Sequence, residues 1–132
     1  IANIVDGENA KKRCIHVIEE NVRVLDAAKA MSEGCFDALG PLMNKSHYSL
    51  SQNYEVSTPE VDFLVEESQK IDNVLGSRIM GGGFGGCTIN FVKGELLDSD
   101  VEQLREVYKT ETDLALETYE VKASDGVSVE QL

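Results

Sequence analysis

Cysteine is scarce in this chain and poorly spaced for chemistry. Cys14, Cys35 and Cys87 are odd in number and far apart, and neither a Cys-x-x-Cys nor a His-x-x-x-His pair occurs. That spacing argues against a zinc site and against a cysteine nucleophile, and no metal ligands are assigned. Set among apolar residues, the three read as reduced, buried thiols of a cytoplasmic protein. Positive charge is also short, with 12 basic residues against 24 acidic and a net charge of -12. Such a surface repels phosphate backbones, so nucleic acid is not an expected partner and an anionic ligand would need a local site. No apolar run approaches the ~20 residues that cross a bilayer, so no membrane partner is expected either. The opening Ile1-Ala2-Asn3-Ile4-Val5-Asp6 lacks the cationic and apolar stretches of a secretory signal. It reads as the cut edge of a longer chain.

What is present suits one soluble domain over residues 1–132, long enough to bury roughly two thirds of its unfolded surface. Ile15, Ile18, Val22, Leu25 and Ala28 recur at helical spacing and predict an amphipathic helix from Lys11 to about Met31, with these residues buried. Gly34 ends it. Phe36, Leu39, Met43, His47 and Leu50 predict a second helix with a kink at Gly40-Pro41, paired with the first as a hairpin. Ser51 to Tyr54 reads as a loop. Thr58-Pro59-Glu60 then opens a third helix, with a hydroxyl to cap it and proline where a missing N–H does no harm. Asn73 to Gly76 reads as a turn, Ser77–Met80 and Cys87–Val92 as two antiparallel strands, and Ser99-x-x-Glu102 as a capping box before a fourth helix. Tyr119, Val121 and Ala123 alternate as a third strand. The expected class is α+β, with helices packed on an antiparallel-rich sheet.

Between the two strands lies Gly81-Gly82-Gly83-Phe84-Gly85-Gly86, which holds five of the chain's 11 glycines. Glycine runs lose much chain entropy on folding, so this one implies a loop that something approaches closely. Three nucleotide motifs compete for it. Gly81-x-Gly83-x-x-Gly86 fits the dinucleotide string, but a helix must follow and Cys87-Thr88-Ile89-Asn90-Phe91-Val92 is rich in β-formers. Gly81-x-x-x-x-Gly86-Cys87-Thr88 approaches a phosphate loop, yet Cys87 stands where the lysine belongs. A protein-kinase lid lacks its companion motifs.

Longer segments point elsewhere. Gly76-Ser77-Arg78-Ile79-Met80 through Thr88 resembles the third conserved motif of the GHMP small-molecule kinases, in the form carried by galactokinases. Met43-Asn44-Lys45-Ser46-His47-Tyr48-Ser49-Leu50 and Tyr54-Glu55-Val56-Ser57-Thr58-Pro59-Glu60-Val61-Asp62 resemble two further segments of that family, and Arg13-x-x-His16-Val17-x-x-Glu20-Asn21-x-Arg23-Val24 the helix before them. The pattern departs at Ile79-Met80, where galactokinases usually carry methionine and threonine, and at Ser51-Gln52-Asn53, where they often carry charge.

The resemblance implies a ferredoxin-like α/β layer: the C-terminal domain of a two-domain enzyme that phosphorylates galactose with ATP and magnesium, in the cytoplasm. It also implies that the sugar motif, the phosphate loop and the catalytic groups lie in an N-terminal domain, the main binder of both cofactors and this domain's partner. The piece alone is expected to be inactive. Gly81, Gly82, Gly83, Phe84, Gly85 and Gly86 would form one side of the nucleotide and substrate cleft, with Phe84 an anchor under the loop, across the domain interface or in the core. Arg78 would meet a phosphate or form a structural ion pair, and Tyr54 would brace the loop. His16 and His47 read as satisfied structural histidines, and Glu55, Glu60 and Asp62 as cap and surface charges. An N-acetylgalactosamine kinase and a non-enzymatic regulatory module that binds a small ligand are the alternatives.

Overall fold

The computed structural model describes residues 6–129, so the reading of the first five residues lies outside it. Four α-helices and one β-hairpin follow in the order α1 (Glu8–Ser32), α2 (Leu39–Ser49), α3 (Pro59–Ser68), β1 (Val74–Met80), β2 (Cys87–Val92) and α4 (Asp98–Thr112). The class is α+β, as expected. No strand forms at Tyr119–Ala123, and among the described residues the sheet has two strands. Alternation alone does not make a strand without a ladder partner; Tyr119 and Val121 stand 78% and 74% exposed.

Helix α1 ends as glycine dictates. Gly34 takes φ +70°, the Cys35 N–H donates to Ala30 O and the Gly34 N–H to Met31 O, which satisfies the last carbonyls. Its packed face is not the one that hydropathy predicts. His16 and Ala30 are buried and Arg13, Glu20, Arg23 and Ala27 half-buried, whereas Ile15, Ile18, Val22 and Leu25 are exposed. A polar network, described below, recruits the charged side of the helix.

Helix α2 begins at Leu39, so Gly40 and Pro41 occupy its first turn, where proline's missing N–H costs nothing, and they do not kink it. A five-residue π-helical turn, Leu50–Tyr54, prolongs α2 in place of the expected loop. Glu55 then turns left-handed at φ 57°, and the Val56 N–H donates back to Leu50 O.

The segment expected to turn at Asn73–Gly76 instead starts β1. Val74 pairs with Val92 and Gly76 with Phe91, which leaves Leu75 bulged. There the backbones of α2 and β1 cross: a β-carbon on Gly40 would lie 2.0 Å from Leu75 O, and one on Gly76 would lie 2.4 Å from Gly40 O. Gly76 is glycine for this crossing. Along the outer edge of β1, the Ser77 N–H donates to Asn44 Oδ1 (2.8 Å) and the Ile79 N–H to His47 Nδ1 (3.2 Å). Side chains one helical turn apart on α2 thus replace a neighbouring strand.

Helix α3 starts as its sequence promised, the Val61 N–H donating to Thr58 Oγ1 and Pro59 at its first position. Val61, Leu64 and Val65 meet Val74 and Ile79 of β1 and Tyr108 of α4 in the apolar core. Helix α4 opens at Asp98 with Leu97 before it and no side-chain cap. Ser99 lies inside the first turn, so the anticipated capping box does not form.

Candidate active-site loop

The glycine run joins β1 to β2 at the end of the hairpin where Met80 pairs with Cys87. Its backbone is left-handed at Gly81 (φ 95°), Gly83 (87°), Phe84 (61°), Gly85 (115°) and Gly86 (93°). Only glycine adopts most of these angles cheaply. Phe84 adopts one with a β-carbon, at a backbone cost, and its ring is 76% exposed. It therefore belongs neither to the core nor to the underside of the loop.

Close approach within this domain occurs at one loop glycine. A β-carbon on Gly83 would lie 2.6 Å from Val56 O and 2.7 Å from Val56 Cβ. The next residue, Phe84, donates its N–H to that same Val56 oxygen at 2.6 Å. Around Gly81, Gly82, Gly85 and Gly86 an added β-carbon would meet nothing within 4 Å. Gly82 is distinctive among them, since its φ is not positive either. Among the described residues neither crowding nor a positive φ requires glycine there.

Val56 is held from α1. The Tyr54 ring stacks on His16 with centroids 4.6 Å apart, and the Arg13 guanidinium sits 5.8 Å over Tyr54. Arg13 also donates to Asn53 O at 2.7 Å and pairs with Glu55 at 2.6 Å. Tyr54 and Arg13 thus share the bracket behind the loop. The sequence gives Arg13 no evident role beyond its helix, because its partners lie 40 and 42 residues away, a separation that no local pattern reveals.

Under β1 lies the polar network that turns α1 inward. Glu20 accepts from Ser46 Oγ (2.6 Å) and Arg23 Nε (2.8 Å), and lies 3.4 Å from Arg78 Nη1. Burial opposes its charge, but the hydrogen bonds from Ser46 and Arg23 and the Arg23 and Arg78 charges outweigh it, holding its carboxyl below the usual range. Arg78 takes the ion-pair option, bonding Glu20 and the Ile79 carbonyl.

His47 accepts the Ile79 N–H at Nδ1, which places its proton on Nε2, 3.2 Å from Asp62 Oδ1. Burial pushes its pKa down, with Arg78 acting in the same direction, against the pull of Asp62. His16, bonded to Ser49 Oγ at 3.0 Å, is lowered mainly by burial too. Both histidines are buried and partnered, as their helical positions suggested. Glu55 pairs with Arg13. Asp62 binds His47 and accepts from Ser51, a closer tie than a surface charge would have.

The cysteines depart from expectation. Cys14 is half-buried, and Cys35 and Cys87 are exposed. Their apolar sequence neighbours face partly outward, most of all on α1. A hollow of about 640 Å³, lined by Phe36, Leu75, Phe91 and Val92, opens at the far end of the hairpin, away from the loop. Among the described residues no three His, Cys, Asp or Glu side chains gather as a metal site, and no helix is long and apolar enough to cross a membrane. A magnesium centre does not fit these residues by themselves. The cation beside the loop, Arg78, is engaged by Glu20.

Comparison with known proteins agrees with this geometry. The family described as GHMP kinases C terminal matches residues 27–110. The chain is 43% identical over 105 residues to the galactokinase of Clostridium perfringens (strain 13), covering 80% of this chain and 27% of that protein. It is 44% identical over 117 residues to the galactokinase of Thermotoga petrophila, covering 89% of this chain and 33% of that protein. With the Bacillus subtilis galactokinase, identity is 36% over 125 residues, 95% of this chain and 32% of that protein. Among solved structures, Lactococcus lactis galactokinase complexed with galactose superimposes with a TM-score of 0.75 at 37% identity, over 86% of this chain and 29% of that one. The chain spans 27–33% of these three curated relatives. With its hairpin and glycine loop inside the matched span, this chain belongs to the GHMP kinase family and corresponds to its C-terminal domain.

Proposed function

We propose that this domain is the C-terminal part of a galactokinase, an enzyme that moves the γ-phosphoryl group of ATP to the anomeric hydroxyl of galactose. The observation that carries the reading is 36–44% identity to galactokinases across most of the chain, glycine loop included. Phosphoryl transfer asks a protein for positioning and charge stabilisation more than for covalent chemistry. This domain supplies positioning. Gly81, Gly82, Gly83, Phe84, Gly85 and Gly86 form one wall of a cleft whose other wall, in an N-terminal domain, binds the ATP phosphates, magnesium and the sugar. Phe84 projects across that interface, Tyr54 braces the loop from behind, and the enzyme works in the cytoplasm.

Two features support this division of labour. Among the described residues nothing lies within 4 Å of a β-carbon on Gly82, and its φ is not positive. The nearby arginine is paired with Glu20. The test is to express the full-length polypeptide, supply galactose and Mg-ATP, and follow galactose 1-phosphate and ADP. Equal formation of both products is expected. No phosphorylation of galactose, or faster turnover of N-acetylgalactosamine, overturns the assignment.

A further inference from the structure

Among the described residues, the glycine loop is joined to the rest of the domain by one hydrogen bond, from the Phe84 N–H to Val56 O, beside the tight contact of Gly83 on Val56. Five glycines in six positions give the segment little stiffness of its own. Where the loop stands is therefore decided by where the Val56 carbonyl stands.

That carbonyl follows a left-handed Glu55 and a π-helical turn, both of which carry a backbone cost that the surrounding structure must offset. The Val56 N–H bond to Leu50 O and a bond from Asn53 Nδ2 to Ser49 Oγ (3.2 Å) supply part of that support; the support that comes from α1 is centred on Arg13. One guanidinium nitrogen donates to Asn53 O, another pairs with Glu55, and the group sits 5.8 Å from the centroid of Tyr54, whose ring packs in turn on His16. Three consecutive residues are thus fixed by one side chain from α1.

We propose that Arg13 is a positioning residue for the glycine loop: by clamping Asn53–Glu55 it sets the Val56 carbonyl that pins Phe84, and so the depth of the cleft. The proposal rests on the kinase reading for its catalytic consequence but not for its structural one. Arg13 is part-exposed, and exposed ion pairs add little to global stability. Its role is local order. Lysine reproduces it only in part, because its ammonium carries charge and donors but not the fixed planar fork that reaches Asn53 O and Glu55 together.

The experiment uses the full-length polypeptide carrying Arg13→Ala or Arg13→Lys. Hydrogen exchange of the segment containing Phe84 is measured beside steady-state kinetics with galactose and Mg-ATP. Expected for alanine is at least tenfold faster exchange at the Phe84 amide and a tenfold or greater fall in kcat/KM, with the unfolding midpoint nearly unchanged. Lysine should fall between alanine and the native residue. If the lysine variant, or a folded alanine variant, exchanges at the native rate at Phe84, the proposal fails. Faster exchange with unchanged kinetics refutes the catalytic consequence. A native polypeptide that does not phosphorylate galactose overturns the kinase reading instead, and the exchange measurement still decides whether Arg13 holds the loop.

Discussion

Gly82 and Gly83 are neighbours whose glycines answer to different causes, and alanine at each separates them. At Gly83 a methyl would stand 2.6 Å from Val56 O, against the 3.4 Å of ordinary contact, on a backbone at φ +87°. Opening that gap by about 0.8 Å stretches the 2.6 Å bond from the Phe84 N–H to the edge of hydrogen-bonding distance. Losing it costs about 0.5–1.5 kcal/mol, and the left-handed β-carbon about 1–2 kcal/mol. A loop displaced at about 1.5–3.5 kcal/mol lowers kcat/KM roughly 10- to 400-fold if the full cost falls on the transition state. Gly82→Ala has no such cost, because its β-carbon meets nothing within 4 Å and its φ is not positive. Its unfolding midpoint should match or slightly exceed the native one, since alanine restricts the unfolded chain. Any loss of activity there comes from whatever faces the loop from outside this domain. We expect at least tenfold in kcat/KM, about 1.4 kcal/mol, in the full-length enzyme assayed with galactose and Mg-ATP. A Gly82→Ala enzyme with native kinetics refutes the close-approach argument.

Alanine at Gly40 or Gly76 drives a methyl to within 2.0–2.4 Å of backbone oxygen. It should cost about 3–5 kcal/mol, combining overpacking with loss of the Asn44 and His47 bonds to β1; a loss under about 1 kcal/mol in urea denaturation followed by circular dichroism, the chain having no tryptophan, refutes the crossing. His16 and His47 both titrate below their ordinary value in the folded state because they are buried. The unfolded chain therefore takes up protons first, and stability present above about pH 6.5 declines as pH falls below it. Melting temperature against pH should show that slope, and a His16→Asn/His47→Asn variant should flatten it; an unchanged slope refutes the assignment. Glu20 acts in a lower window, since its folded value lies below that of a free glutamate. Its contribution is lost only as pH falls below about 4.5, and Glu20→Gln should remove that second decline in melting temperature.

Legibility of the sequence followed the range of the interactions. The Thr58 cap, Pro59 and the Gly34 stop are decided within a few residues, and each appears where expected. The glycine hairpin was legible too, because composition and strand propensity agreed there. Hydropathy failed on α1: its inward face is chosen by Glu20, Arg23 and His16 meeting Ser46, Ser49 and Arg78, up to 58 residues away. Gly76 looked like a turn because its reason, the passage of Gly40, belongs to another element. The Arg13 bracket was hidden likewise. Tyr54 was read as a brace from the family resemblance, but its partners, Arg13 and His16, appear only in three dimensions.

The outward face of α1 has a consequence for the domain as a solution species. Ile15, Ile18, Val22 and Leu25 form an apolar strip about 15 Å long, on a body whose net charge of -12 keeps copies apart. Added salt shortens the reach of that repulsion to about 3 Å at 1 M while leaving the strip as sticky as before. Separated from whatever covers α1, the domain should behave as a colloid poised by ionic strength, dispersed in dilute buffer and clustering as salt rises. Lysine or glutamate at Val22 and Leu25, which are largely exposed, should abolish the clustering and leave the fold in place.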